Sequence, residues 1–277
     1  MTVPVLTLVE FSTRRAPSPR APLLVLGPGL GTSAASLWSA AAHLLEADLR
    51  VVGWDLPGHG GSAPADEPFG TAELARGVLD AVDRYQEAAG LETGGPFYYA
   101  GTSLGGCVGL QLLLDAPHRP AAAVLVGTAA RVGEPAAWSE RARLVAAAGT
   151  PTQIVGSAQR WFAPGFIERD AVTTTGLLHA LQDADRFSYA RACEALAGFD
   201  ATGRLGAVDV PVLAVVGARD AATPPDAVAE LAGATGGRLV VVEGAGHLVP
   251  AETPQDVARL LDEHIGAHPP HHEGARA

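Results

Sequence analysis

The chain contains no lysine and no asparagine, and its one methionine is the first residue. All 19 of its basic side chains are therefore arginines, set against 30 Asp and Glu, for a net charge of −11. An excess of this sign and size argues against non-specific nucleic-acid binding and against attraction to an anionic membrane surface. It also gives an acidic substrate no long-range pull, so such a substrate would have to meet local arginines. The missing lysine and asparagine fit the codon bias of a GC-rich genome and carry no functional message. Cysteine is nearly absent too. Cys107 and Cys193 follow no CxxC spacing, which speaks against a disulfide framework and a zinc site, and both read as small buried apolar residues. No apolar run approaches the roughly 18 residues that a membrane span needs. The opening MTVPVLTLVEFSTRR lacks a basic stretch followed by an apolar one, so no secretory signal is expected and the expected location is the cytoplasm.

What remains is a chain rich in apolar residues, at 48%, and poor in charge, at 18%, which excludes a disordered polymer. Its 277 residues suffice for one large α/β domain with an inserted subdomain. Short β-branched runs recur: VPVLTLV near the start, LLVLG at 23–27, LRVVGW at 49–54, FYYAG at 97–101, AAVLVG at 122–127, VLAVVG at 212–217 and RLVVVEG at 238–244. Most are continuous rather than alternating, as for strands covered on both faces. Helical patterns lie between them, including TAELARGVLDAVDRYQEAA, LGGCVGLQLLLDA, PPDAVAELAGA and PQDVARLLDEHI. Alternation of this kind predicts a mainly parallel central sheet flanked by helices. It breaks between about 130 and 200, where RARLVAAAG, TGLLHALQDAD and FSYARACEALAGF read as short helices. The expected organisation is a core of residues 1–130 and 205–266, a helical cap of residues 131–204 inserted after the sixth strand, and a flexible Pro/His-rich tail at 267–277. The tail's His268, His271 and His272 are expected to be solvated rather than metal-binding.

The stretch YYAGTSLGGCVGL carries the chemistry. A strand, then G-x-S-x-G, then a helix is the setting in which the serine is a nucleophile held on a sharp turn. Small neighbours let strand and helix approach, and the helix N-terminus at Ser103 favours a developing oxyanion. A serine hydroxyl needs a base. Of the nine histidines, His247 lies in a small-residue loop just past the last strand, and His59 lies in the loop DLPGHGGS. His43, His118, His179 and His264 fall in helical patterns and read as surface or packing residues. The acid is expected between serine and histidine, after a late strand. Asp220 in VVGARDAATPP fits, whereas Asp209 precedes that strand and Asp226 sits in the next helix's first turn. In this scheme His247 shuttles the proton and Asp220 fixes its tautomer. The backbone N–H groups of Leu104 and of Leu30, in GPGLGTS, would form the oxyanion hole.

Taken together, GTSLGG, WDLPGHGGS, GARD and GAGH resemble the α/β-hydrolase superfamily across nearly the whole chain. Within it, GLGTS, VGTAARVGEPAAW, RWFAPGF, SYARACEALAGFDATGRL and GARDAATPP are similar to the 3-oxoadipate enol-lactonases, in particular the lactonase half of actinobacterial lactonase–decarboxylase fusions. The resemblance implies an α/β-hydrolase fold, a small anionic lactone substrate opened through an acyl-enzyme in aromatic degradation, and no cofactor. It makes Arg131, directly after a strand, the candidate for the substrate carboxylate, in preference to Arg160, with a structural ion pair as its other reading. Trp138, Trp161 and Phe162 would line the pocket or simply pack the cap. The sequence departs from the family where Leu56 and Pro57 stand near an expected arginine, so His59 is expected to support the turn around Asp55 rather than to do chemistry. Other esterase, perhydrolase or biosynthetic hydrolase activities stay open, as does a non-catalytic ligand receptor.

Overall fold

The apolar runs become strands, fully buried in the middle of the sheet and partly exposed at its two edges, and residues 1–269 are described by the computed structural model. In chain order the elements are β1 (Leu8–Glu10), β2 (Leu23–Gly27), α1 (Ala34–Leu44), β3 (Arg50–Trp54), α2 (Thr71–Ala88), β4 (Phe97–Thr102), α3 (Leu104–Asp115) and β5 (Pro120–Val126). An all-helical segment follows: α4 (Pro135–Ala148), α5 (Ile154–Trp161), α6 (Phe166–Arg169), α7 (Ala171–Asp183) and α8 (Arg186–Ala197). The chain then returns to the sheet with β6 (Val212–Gly217), α9 (Pro225–Ala234), β7 (Arg238–Val242), α10 (Val249–Glu252) and α11 (Pro254–Ala267).

The seven strands lie in the order β1-β3-β2-β4-β5-β6-β7, parallel except for β1, which runs antiparallel to β3. Every residue of β2, β4 and β6 is buried, as their unbroken apolar sequence requires when helices cover both faces. The chain steps from β2 to β3 on one side and then to β4 on the other. This reversal opens a crevice beyond the carboxyl ends of β2 and β4, the place where open α/β sheets hold their ligands.

Three expectations need correction. The helical insertion follows the fifth strand, not the sixth. Only Leu8–Glu10, at the end of the N-terminal run, pairs in the sheet, and Pro4 near the start of that run has no backbone donor to offer. The C-terminal tail also starts later than residue 267. Helix α11 runs to Ala267, the Tyr98 hydroxyl donates to the His268 carbonyl at 3.0 Å, and the His268 ring packs on His264. His271 and His272 lie outside the described residues. His264 itself is buried and packs as expected, while His43, His118 and His179 are exposed. Both cysteines are buried and free, and among the described residues no helix is long and apolar enough to cross a membrane.

Candidate active site

Ser103 sits between β4 and α3 with φ 55° and ψ −117°, alone among the described non-glycine residues in having a positive φ. Such a backbone costs of order 1–3 kcal/mol and persists only where its surroundings fix it. Those surroundings are visible. The Ser103 N–H donates to the Val126 carbonyl at 2.8 Å, and the Gly105 N–H donates to the Pro28 carbonyl at 2.9 Å. The Tyr99 hydroxyl donates to the Gly105 carbonyl at 2.7 Å. A Cβ on Gly105 would stand 2.6 Å from the Pro28 oxygen, and one on Gly101 would collide with the Gly105 carbonyl. The glycines of GTSLGG thus let strand, turn, helix and the loop after β2 touch through their backbones. Leu104 opens α3, so its N–H is one of those with no acceptor inside the helix. The Gly105–Pro28 bond ties that turn to the loop carrying Leu30.

Asp220 follows β6 and His247 follows β7, both nearly fully buried. His247 Nδ1 and Asp220 Oδ2 are 2.8 Å apart. The remaining capacity of the carboxylate is filled by the N–H groups of Ala222 and Thr223 and by the Thr223 hydroxyl, each at 2.8 Å. Burial alone would raise the Asp220 carboxyl, but the His247 ring and the bonds from His247 and Thr223 outweigh it and hold the group below the ordinary carboxylate value. An ionised carboxylate only accepts, so the proton of the 2.8 Å contact belongs to Nδ1, and in the neutral ring Nε2 is the acceptor. Asp209 and Asp226 are exposed, one before β6 and the other in the first turn of α9, and neither bonds to His247.

Ser103, His247 and Leu30 line one cavity of about 200 Å3, together with Val132, Trp138, Arg141, Arg160, Trp161 and Tyr189. Its floor is the end of the sheet and its roof is α4, α5 and α8. Two expected lining residues are elsewhere. Arg131 is half exposed and pairs with Glu134 at 3.0 Å, because the chain leaves β5 outward before α4 begins. Phe162 is buried but stacks on Phe166 at 5.4 Å. It is the residue next to Trp161 at the end of α5, and with Trp161 turned to the cavity its neighbour points away. Trp138 and Trp161 do line the cavity, and Trp138 Nε1 donates to the Val132 carbonyl at 2.6 Å. His59 is buried in its turn, Nδ1 donating to the Pro57 carbonyl at 2.9 Å. Beside it the Asp55 carboxylate accepts the N–H groups of Ala34 and Gly61, so this histidine supports the turn.

Residues 24–260 match the model of the alpha/beta hydrolase family. The chain belongs to that family. Among the relatives of this alpha/beta hydrolase is the 3-oxoadipate enol-lactonase 2 of Acinetobacter baylyi, 33% identical over 202 residues that cover 73% of either chain. A pimeloyl-[acyl-carrier protein] methyl ester esterase of Aromatoleum aromaticum is 31% identical over 87% of this chain and 96% of its own. The crystal structure of the enol-lactonase from Burkholderia xenovorans superposes with a TM-score of 0.83 at 27% identity, covering 94% of this chain and 96% of that one.

Two residues of the candidate site, Arg141 and Glu252, have no place among the sequence expectations. Arg141 lines the cavity from α4, and Arg160, ranked behind Arg131 from the sequence, lines it from α5. Glu252 is buried and joins the histidine loop to the insertion, with Oε1 accepting the Gly246 N–H at 2.9 Å and Oε2 accepting the Ala163 N–H at 2.8 Å. Burial raises its carboxyl, with the bonds from Ala163 and Gly246 acting in the opposite direction. The spacing of Glu252 five residues after His247, followed by Pro254, was the available signal. Among the described residues no group of three or more His, Cys, Asp or Glu is placed to hold a metal ion.

Proposed function

We propose that this chain hydrolyses a small carboxylated enol-lactone, 3-oxoadipate enol-lactone being the form its relatives suggest, through an acyl-enzyme on Ser103. The observation that carries this is the buried 2.8 Å contact between Asp220 and His247 beside a cavity that Ser103 and His247 share. The sequence of steps follows from the chemistry of those groups. His247 Nε2 takes the Ser103 proton as Oγ adds to the lactone carbonyl. The N–H groups of Leu30 and Leu104 receive the oxyanion. The ring C–O bond breaks, His247 returns the proton to the leaving enol oxygen, and Asp220 stabilises the imidazolium in between. Water, deprotonated by His247, then adds to the acyl carbonyl, the ester bond to Ser103 breaks, His247 returns the proton to Ser103 Oγ, and the enol becomes a ketone. The helical insertion acts as a cap over these residues.

Size supports a small substrate. At about 200 Å3 the cavity is below the 300–1,000 Å3 usual for drug-sized ligands. The direct test is a spectrophotometric assay on enol-lactone generated in situ. Ser103→Ala and His247→Ala should each lower kcat by roughly a thousandfold or more while circular dichroism and melting temperature stay near wild type. Full activity in either variant would overturn the proposal.

A further inference from the structure

We propose that Thr32 is a positioning residue for the oxyanion hole: its hydroxyl, held on the Gly29 carbonyl, aims the Leu30 N–H at the reacting centre. This rests on the Ser103 cavity being the hydrolytic site and on Leu30 supplying one of its two donors. Residues 29–32 form a tight turn, closed by the Thr32 N–H donating to the Gly29 carbonyl at 3.1 Å. Gly31 stands at the third position with φ +83°, the left-handed backbone that a type II turn requires there. The Thr32 hydroxyl donates to the same carbonyl at 3.0 Å, and Thr32 is fully buried. One oxygen therefore takes two donors from one residue, which fills both of its lone pairs.

The consequence follows from the planarity of the peptide group. The peptides of the described residues are all trans, and in a trans peptide the C=O and the N–H that follows it point in opposite directions. With the Gly29 oxygen fixed toward Thr32, the Leu30 N–H faces away from Thr32. It makes no hydrogen bond among the described residues, and Leu30 lines the cavity together with Ser103. The Cβ position of Gly29 is 3.7 Å from Thr32 Oγ1 and 3.7 Å from the Ser103 Cβ, so the peptide that carries the donor starts within reach of both. The rest of the loop is held as well. Trp38 Nε1 donates to the Gly27 carbonyl and the Gly105 N–H to the Pro28 carbonyl, each at 2.9 Å. On the side of the insertion, a Cβ on Gly31 would stand 2.7 Å from Leu181 Cδ1 and 3.3 Å from Tyr189 Cε2, so α7 and α8 press on the turn. The freedom that remains is rotation of the single peptide between Gly29 and Leu30, with a glycine on one side of it. Such a rotation would turn a carbonyl oxygen toward the developing oxyanion in place of a donor. The turn's own N–H bond opposes it once, and the threonine hydroxyl opposes it a second time.

The test removes the hydroxyl and keeps the shape. Thr32→Val should lower kcat on p-nitrophenyl acetate by roughly tenfold with KM changed by less than about twofold, a part of the roughly 10²–10³ lost when such a donor is deleted outright. Thr32→Ser, which keeps the hydroxyl, should recover most of the loss. A trifluoromethyl ketone separates positioning from folding. Ser103 Oγ adds to the carbonyl carbon of trifluoroacetone, its proton passes to His247, and the carbonyl π pair moves onto oxygen as the oxyanion that the hole receives. The inhibition constant of trifluoroacetone should rise in Thr32→Val by a factor similar to the fall in kcat. An inactive fraction of protein would instead lower the apparent kcat and leave that constant unchanged. Wild-type kcat and inhibition in Thr32→Val, or an equal loss in Thr32→Ser, would overturn the proposal. If Thr32→Val does not fold, Thr32→Ser and Thr32→Cys carry the same comparison, since their shapes are similar and a thiol is a weak donor. The cysteine variant should then lose several-fold more kcat and trifluoroacetone affinity than the serine variant, and equal values would defeat the idea. A wild type that turns over no ester and binds no trifluoroacetone would overturn the hydrolytic reading as well. Turnover that requires Ser103 but not the Thr32 hydroxyl would defeat the role of Thr32 alone.

Discussion

At the scale of single residues, the contact between Asp220 and His247 is guarded by a side chain that is not there. Gly127 directly follows β5 with φ +51°, and a Cβ on it would stand 3.1 Å from both Asp220 Oδ2 and His247 Nδ1. Gly127→Ala would combine a left-handed backbone, unfavourable by about 1–2 kcal/mol, with a methyl group pressed on the hydrogen-bonded pair. Gly90 provides the control. It too is left-handed, at φ +67°, but nothing lies within 4 Å of its Cβ position. Both alanine variants should lose comparable stability in urea, and only Gly127→Ala should also lose roughly tenfold or more in kcat. Unchanged kcat in Gly127→Ala would show that the pair tolerates crowding, and an equal loss in Gly90→Ala would show that activity follows stability alone. The serine, acid and histidine were legible in the sequence because each follows a strand closely and carries a local signal of small residues or chain order. Gly127 was not, because its neighbours in space arrive about 90 and 120 residues later in the chain.

At the scale of elements, the histidine loop is fastened to the insertion. His247 and Leu248 donate their N–H groups to the Trp161 carbonyl at 2.9 and 3.2 Å, and Glu252 on α10 accepts one N–H from each side of the joint. Glu252→Ala would strand two buried donors, at about 1–3 kcal/mol each. The expected result is a loss of roughly 2–5 kcal/mol in urea unfolding together with a lower kcat, since the peptide that positions His247 loses its support. Glu252→Gln, which keeps one good acceptor, should fall between. Wild-type kcat in the alanine variant would mean that the joint does not position the histidine. The elements differ in how plainly the sequence announced them. Strands β2 and β6 were readable to the residue, since an unbroken apolar run bounded by Pro or Gly has one solution. Helix α1 has no counterpart among the expected helices. Its AASLWSAAAHL is almost evenly apolar, and its start is set by reciprocal hydrogen bonds between Ser33 and Ser36 rather than by a hydrophobic stripe. The insertion was legible as helical but not in its facing. Which side of α4 and α5 meets the cavity depends on how the inserted helices pack together, so Arg131 looked closer to the site than Arg141 and Arg160, which line it.

At the scale of the whole molecule, two buried histidines make acid the weak side of this fold. His59 is fully buried, its Nε2 has no hydrogen-bond partner among the described residues, and burial drives its pKa down to about 4. His264 is pressed to about 4 as well, by burial and then by His268. In the unfolded chain each returns to about 6.5. Between pH 6.5 and 4 the unfolded state therefore binds protons that the folded state refuses, so stability falls as pH falls through that window and levels off below it. For His59 the effect is on the order of 3 kcal/mol, at about 1.4 kcal/mol per pH unit. Asp55 and Glu252 act in the other direction. Burial raises both carboxyls, so their contribution is present at low pH and is lost as pH rises. A substitution isolates the histidine from them. His59→Asn keeps a donor for the Pro57 carbonyl and removes the titration. Its stability in urea should be lower than wild type near pH 7 and should decline less steeply from pH 6.5 to 4, so that the two curves converge in acid. Parallel curves would mean that His59 takes up its proton without unfolding the turn. In that case the Tyr189 ring stacked on it at 6.0 Å, which also lines the cavity, would be the place to look for a change in activity across the same range.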